Sequence, residues 1–161
     1  MNLIIRPFQS TDTPQLIHIT LLAFEPIFQS FRQILGPAIY GQLYPDWHRT
    51  QQSAIESICQ NVEATPLLVA ELEGTPIGYL AYTLNPKDKT GEVQLLAVHP
   101  DYQNQGTGTR LNLAALEAMK AAGMRLAVVG TGGDPSHAPA RKSYRKAGYI
   151  PLPLVRYYQD L

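Results

Sequence analysis

Val98-His99-Pro100-Asp101-Tyr102-Gln103-Asn104-Gln105-Gly106-Thr107-Gly108-Thr109-Arg110-Leu111 is the stretch whose reading decides the rest of this chain. An apolar run ends at Val98, a polar turn follows, and a helical pattern starts within two spaced glycines. The first N–H groups of a helix have no internal partner, and the aligned peptide dipoles add partial positive charge there. Glycines let a backbone approach an anion with no Cβ in the way. A diphosphate is the natural ligand for such a turn. The phosphate loop of nucleotide hydrolases does not fit, because no lysine follows Gly108. The dinucleotide fingerprint does not fit either, because Leu111 stands where its third glycine belongs. A plain glycine-containing turn remains the simplest alternative for this stretch taken alone.

Working outward, Glu92-Val93-Gln94-Leu95-Leu96-Ala97-Val98 reads as a strand, apolar enough at its end to be central. Before it, the runs Pro66–Glu71 and Pro76–Tyr82 flank Glu73-Gly74 and predict a hairpin, and Asn85 to Thr90 is a polar loop. Leu3-Ile4-Ile5-Arg6 reads as a first strand. Ser10-Thr11-Asp12 offers an N-cap, Pro14 suits a first turn, and Leu16, Ile19, Thr20 and Ala23 follow at helical spacing. Pro26, Gly36, Pro37, Gly41 and Pro45 interrupt the aromatic-rich stretch after Phe24 and predict several short helices there. Asp46 caps a helix running to about Asn61. Downstream, a helix from about Gly106 to Ala122 stops at Gly123. A strand at Arg125–Val129, a helix at Pro139–Ala147 and a last strand at Leu154–Tyr158 complete the order. Hairpins followed by alternation indicate a mixed α+β fold.

The 161 residues fit one domain, 1–161, with one sizeable core. Thirteen basic residues balance thirteen acidic ones, so there is no charge signature for nucleic acid or a membrane surface. No apolar run is long enough to span a bilayer, and the N-terminus lacks the parts of a signal peptide, which makes a cytoplasmic location the expectation. Cys59 is the one cysteine and lies on an apolar helical face, as a small buried hydrophobe would. His18, His48, His99 and His137 show no metal-ligand spacing, and no metal is expected.

Gln103-x-x-Gly106-x-Gly108, following Leu96-Ala97-Val98-His99-Pro100, resembles the cofactor motif of the GNAT superfamily of N-acetyltransferases. Ala140-Arg141-Lys142-Ser143-Tyr144-Arg145-Lys146-Ala147-Gly148-Tyr149 is similar to that family's A-x-x-x-Y-x-x-x-G-[FY] helix. Both lie in the family's order and spacing, and together they cover Glu92 to Tyr149. The resemblance implies a central, mostly antiparallel twisted sheet of six to seven strands with about four helices, and acetyl-CoA as the acyl donor. It implies that backbone groups of Leu96, Ala97 and Val98 hold the pantetheine arm like an added strand, and that the Val98 N–H polarises the acetyl carbonyl. It places the pyrophosphate on the turn from Gln103 through Asn104, Gln105, Gly106, Thr107, Gly108 and Thr109. It makes Tyr144 the proton donor to the leaving thiolate and puts Glu92 where some members carry a general base. Many members have an asparagine where this chain has His137, the remaining candidate cofactor contact. Members with a base on the next strand carry an acid near Gly132, and here Asp134 or His137 stands nearest.

Amide formation from a thioester needs a neutral amine, and an alkylamine of pKa about 10.4 requires a base or a desolvating site. Glu92 serves directly or through water; the plainer reading is a strand carboxylate facing solvent. Tyr144 is otherwise a core ring on an amphipathic helix, and His137 a structural histidine. The aromatics Phe24, Phe28, Phe31, Tyr40, Tyr44 and Trp47 divide between core and acceptor site. The activity expected is transfer of an acetyl group to a primary amine of a small molecule, peptide or protein by direct attack in a ternary complex. The rivals are an acyl-CoA-binding module without turnover, an acyltransferase using a longer acyl-CoA, and a nucleotide-phosphate enzyme. A homodimer is the prior for any oligomer.

Overall fold

The computed structural model describes residues 2–161. Its strands are β1 (Leu3–Pro7), β2 (Leu67–Leu72), β3 (Thr75–Asn85), β4 (Thr90–Val98) and β5 (Leu126–Val129). Its helices are α1 (Thr13–Leu43), α2 (Trp47–Gln60), α3 (Thr107–Ala121) and α4 (Ala138–Lys146). The sheet runs in sequence order, antiparallel from β1 to β4 and parallel between β4 and β5. The mixed α+β, mostly antiparallel expectation holds, with five strands in place of six to seven.

The missing strand is the one expected at Leu154–Tyr158. Residues 151–161 form neither helix nor strand. Pro151 and Pro153 have no N–H to offer a ladder. The far end is held against α1 instead, where Gln42 Nε2 donates to Asp160 Oδ1 at 2.7 Å.

The aromatic stretch also differs from its reading. One helix passes straight through Pro26, and the only non-helical residue inside α1 is Gly36, at φ 72° and ψ 168°. Pro26 is tolerated because it removes a single ladder bond, to the carbonyl of Leu22, a residue that is itself exposed. The axis breaks at Gly36 because the ring of Pro37 disfavours a helical residue ahead of it, and glycine can take the conformation needed there, one that residues with a Cβ rarely adopt.

The period-2 alternation of the strands divides the core in two. On one face, Leu16 and Ile19 of α1 and Ile55 of α2 pack on Leu67, Val69, Tyr79, Ala81 and Ala97. On the other, Leu111, Ala115 and Met119 of α3 pack on Ala70, Ile77, Leu80, Tyr82 and Val93. Tyr79 is wholly buried, and its hydroxyl pairs with Thr20 Oγ at 2.6 Å, so its polar tip is satisfied within the core.

One irregularity governs the site. Ala81 pairs with Leu95 but Tyr82 pairs with Val93, so Gln94 is an extra residue bulged out of β4. The bulge reverses which side chains face which helix. Val93 belongs to the α3 side, whereas Leu95 and Ala97 belong to the α1 side. Gly91 shares the α3 face with Val93, and a Cβ there would lie 2.6 Å from Met119 Sδ, so any larger residue would push the Met119 side chain aside.

Candidate active site

The parallel pairing of β4 with β5 ends at Val93↔Val129, while β4 continues to Val98. Beyond the bulge, β4 therefore has a neighbour on one side only. His99 N–H donates to the Ile77 carbonyl at 2.8 Å, which fixes the alternation on the β3 side. Ala97, two residues back and opposite Tyr79, directs its N–H and carbonyl to β3, whereas Leu96 and Val98 direct theirs to the open side. The Val98 carbonyl is already taken by Gln103 Nε2 at 2.9 Å. The groups left facing the opening are the Leu96 N–H and carbonyl and the Val98 N–H.

That opening is a cleft of about 380 Å³. Leu96, Ala97 and Val98 line it from β4; Gly106, Gly108 and Thr109 line it from the start of α3. The Arg110 N–H donates to the Gly106 carbonyl at 3.0 Å as the first bond of α3, so the N–H groups of Thr107, Gly108 and Thr109 have no partner within the helix. Asn104 (φ 61°) and Gly106 (φ 89°) are left-handed, and this winds the turn around the helix start. The side chains of Gln103 and Gln105 hold this turn from within, the second by donating to the Asp101 carbonyl at 2.9 Å. Asn112 Nδ2 donates to the Gly108 carbonyl and to Ser143 Oγ, at 2.9 and 3.1 Å, and ties the first turn of α3 to α4. A Cβ on Gly108 would lie 3.1 Å from that same Ser143 Oγ.

The opposite wall comes from α1 and α4. Phe24, Pro26 and Ile27 face the cleft from α1, and Ala140, Lys142, Ser143 and Lys146 from α4. Sequence reasoning did not single out Lys142 and Lys146. Their i, i+4 spacing on the α4 face that carries the small residue Ala140 was the available signal.

His137 makes no capping bond to α4 and is not part of the cleft lining, although its neighbour Ser136 is. Its Nδ1 lies 2.5 Å from Asp134 Oδ1, and its ring stacks on Phe31 at 5.6 Å. The other Asp134 oxygen, Oδ2, accepts from Ser30 Oγ of α1 at 2.7 Å and from the Ser136 hydroxyl. Burial works to raise the Asp134 carboxyl, but hydrogen bonds from Ser136, Ser30 and His137 outweigh it and hold the group at about 2, against an ordinary 3.8. A Cβ on Gly132 would collide with both His137 Nδ1 and Asp134 Oδ1. The missing acid at 132 thus has a physical counterpart, since the Asp134–His137 pair folds back over the space that a side chain there would fill. Arg141 Nη1 closes the loop by donating to the carbonyls of Gly132 and Asp134, each at 2.7 Å.

Tyr144 is buried on α4 with its ring 5.8 Å from that of Tyr149. Burial, with Tyr149 adding to it, pushes its hydroxyl up to about 12, so it carries its proton at neutral pH. Glu92 is exposed on β4, across from Thr83 on one side and Val128 on the other, outside the cleft lining. It sits before the bulge on the face opposite Gly91, toward α1. From Glu92 to Leu96 is about 13 Å of strand at ~3.3 Å per residue. Of the aromatics, Phe28 and Trp47 stack in the core at 4.4 Å, Phe31 and Tyr44 stack at 5.5 Å beside them, and Phe24 reaches the cleft. Cys59 is half-buried with its thiol pushed up by burial, which suits packing and not nucleophilic attack. Among the described residues no cluster of His, Cys, Asp or Glu is arranged to hold a metal, and no helix is long and apolar enough to cross a membrane.

Several solved structures share this fold. A putative GNAT-family acetyltransferase from Desulfovibrio desulfuricans superposes with a TM-score of 0.69 at 19% identity, over 92% of this chain and 85% of that one. The PaiA N-acetyltransferase of Thermoplasma acidophilum, solved in complex with coenzyme A, gives 0.71 at 18% identity, over 93% and 91%. An aminoglycoside acetyltransferase from an uncultured soil metagenomic sample gives 0.64 at 23% identity, over 99% and 96%. These likenesses speak to the fold. No curated protein matches the sequence. The model of the acetyltransferase (GNAT) family matches residues 27–149, which takes in the second half of α1, the whole hairpin, the open edge of β4 and both flanking helices. The chain therefore belongs to the GNAT family of acetyltransferases.

Proposed function

We propose that this acetyltransferase, a single domain over 1–161, moves the acetyl group of acetyl-CoA to a primary amine by direct attack in a ternary complex. The observation that carries the proposal is the open edge of β4, where backbone groups of Leu96 and Val98 face a cleft that ends on the partnerless N–H groups of Thr107, Gly108 and Thr109. An extended amide-bearing arm fits the first as an added strand, and a diphosphate fits the second. The ammonium groups of Lys142 and Lys146 add positive charge on the α4 side of the same cleft.

The thioester supplies an activated carbonyl whose carbon the amine nitrogen attacks, with the C–S bond breaking as the C–N bond forms. The chain's own groups act around that event. The N–H groups of Leu96 and Val98 are fixed donors for the charge that develops on the carbonyl oxygen. Tyr144, a neighbour of the cleft residue Ser143 and not itself in the lining, keeps its proton at neutral pH and donates a hydrogen bond toward the departing sulfur. The proton lost by the amine goes to water leading to Glu92, which is too distant along β4 for direct contact, or to the imidazole of His137, oriented by Asp134. The acceptor approaches from the α1 side, between Phe24, Phe31 and the bulged part of β4. The site is read as cytoplasmic and as acting on a small-molecule, peptide or protein amine.

Calorimetric titration with acetyl-CoA and CoA tests the reading. Micromolar binding by the native chain should disappear in Gly108→Trp and in Ala140→Trp, two cleft positions on different helices, while both variants melt cooperatively. Thiol release in an amine screen then reports turnover. Absence of binding by the native protein overturns the proposal; binding without turnover on any amine leaves a sensor of acyl-CoA.

A further inference from the structure

The α1 wall of the cleft carries no free carboxylate. A helix turns by about 100° per residue, so Ala23, Phe24, Ile27, Phe31 and Ile34 of α1 share one face. This stripe enters the cleft at Ala23, Phe24 and Ile27. It runs on past the lining through Phe31, whose ring stacks on His137 at 5.6 Å, to Ile34. Ile34 is 61% exposed, although Ala23 and Phe24 on the same face pack against the core. Glu25 lies off this face, and its carboxylate meets Gln29 Nε2 at 3.0 Å and His48 Nε2 of α2 at 3.4 Å. Asp134 is buried and spent on Ser30, Ser136 and His137. Glu92 is exposed and stands outside the lining. Among the described residues, the charged side chains in the lining are Lys142 and Lys146 alone, on the α4 wall.

On the acetyl-transfer reading above, we propose that the acceptor is a small monoamine with an alkyl or aryl body, and that this body lies along the α1 stripe from Phe24 to Ile34. Attack on the thioester takes a neutral amine, and an apolar wall disfavours the ammonium form of the bound amine. The wall thereby does part of the task of a strong base, which the lining lacks. An alkyl chain or aromatic ring gains from each apolar group it buries against Phe24, Ile27 and Phe31. A second ammonium group on the acceptor would meet the same apolar side chains with no carboxylate to pair it, and its lost hydration would go uncompensated. Lys142 and Lys146 across the cleft offer it no partner either. From Phe24 to Ile34 is about 15 Å of helix at ~1.5 Å per residue, long enough for an extended hexyl chain. An exposed isoleucine continuous with a ligand cleft is then the far end of that apolar surface.

The test measures thiol release by the full chain at fixed acetyl-CoA with hexylamine, 2-phenylethylamine and 1,6-diaminohexane. Hexylamine and 1,6-diaminohexane share one chain and differ in ending on a methyl or on an ammonium group. The kcat/KM for hexylamine and for 2-phenylethylamine should exceed that for the diamine at least about thirtyfold. Ile34→Asp, a substitution at an exposed position, should shift the hexylamine-to-diamine ratio toward the diamine at least about fivefold, while the KM for acetyl-CoA stays within about twofold. A diamine that reacts as well as hexylamine overturns the proposal, as does an Ile34→Asp ratio equal to the native one. Calorimetric binding of acetyl-CoA with no thiol release from any of these amines also overturns it, and leaves the cofactor site standing. Absence of acetyl-CoA binding overturns the transfer reading and the acceptor with it.

Discussion

Replacing Asp134 by Asn keeps the shape of the β5–α4 loop and removes the charge that organises it. Asp134 accepts from Ser30 on α1, from Ser136 in its own loop and from His137, and its carboxyl is held at about 2 instead of 3.8. Its side chain is only 8% exposed, so solvent screening is slight. A displacement of that size corresponds to about 2.5 kcal/mol of preference of the folded state for the carboxylate. Because the folded value is depressed, the contribution is complete above about pH 4 and is lost as pH falls through 2. Urea unfolding at pH 7 should therefore show Asp134→Asn less stable by about 2 kcal/mol, with the gap about halved at pH 3. Pro135 and Ser136 of the same loop line the cleft, so the KM for acetyl-CoA should rise with little change in kcat. A loss below about 0.5 kcal/mol at pH 7, or a gap that stays constant down to pH 3, would refute the assignment of Asp134 as the buried charge that ties α1 to α4.

Tyr144→Phe should lower kcat about tenfold and leave the KM for acetyl-CoA within about twofold, because a hydrogen bond to the leaving sulfur matters only as charge develops; steady-state kinetics with a fixed amine decides it. Lys142→Ala and Lys146→Ala should each weaken acetyl-CoA binding about threefold at low salt, the difference shrinking at 0.5 M salt, since both groups are exposed and screened. Tyr79→Phe should cost about 1 kcal/mol in a thermal or urea melt without touching activity, because it deletes the 2.6 Å bond to Thr20 while Thr20 keeps its bond to the Leu16 carbonyl.

The hairpin over Glu73-Gly74, the capped start of α2 and the helix opening at Gly106 were all legible in the sequence, because each is written in local turn and cap chemistry. The left-handed turn at Asn104 and Gly106 was legible for the same reason: its glycine and its strand-to-helix context are contiguous. What the sequence hid depends on partners far along the chain. Pro26 looked like a breaker, yet packing of Leu16, Ile19 and Phe28 on either side carries the helix through it. The bulge at Gln94 has no composition signature, since it exists only as a mismatch with β3. The segment at Leu154–Tyr158 has strand composition, but forming a strand needs an edge that the chain itself does not bring to it. Asp134 and Ser30 are far apart in sequence, so the ion-like cluster over Gly132 was not visible from spacing.

The bulge and the short β5 make the cleft together, and neither alone would. Were Gln94 paired as a regular strand residue, Leu95 and Ala97 would stay on the face of Val93 and point at α3, and the core under α1 would lose two of its contacts. Had β5 continued past Val129, its backbone would have taken the outward N–H and carbonyl groups of Leu96 and Val98 as ordinary ladder partners. Because β5 stops at the residue before the bulge, those groups stay open next to the start of α3. The chain thus keeps one strand edge unsatisfied inside a cleft, where a ligand with amides of its own can complete it, and the cost of leaving it open is limited by water reaching a site that is concave but not sealed. The same logic separates the two open edges of this sheet. The edge of β4 is short, recessed and flanked by the N-terminus of α3 and two lysines, which favours a small anionic ligand. The edge of β5 is exposed and flanked by Leu126 and Val128, with no helix N-terminus beside it to attract an anion.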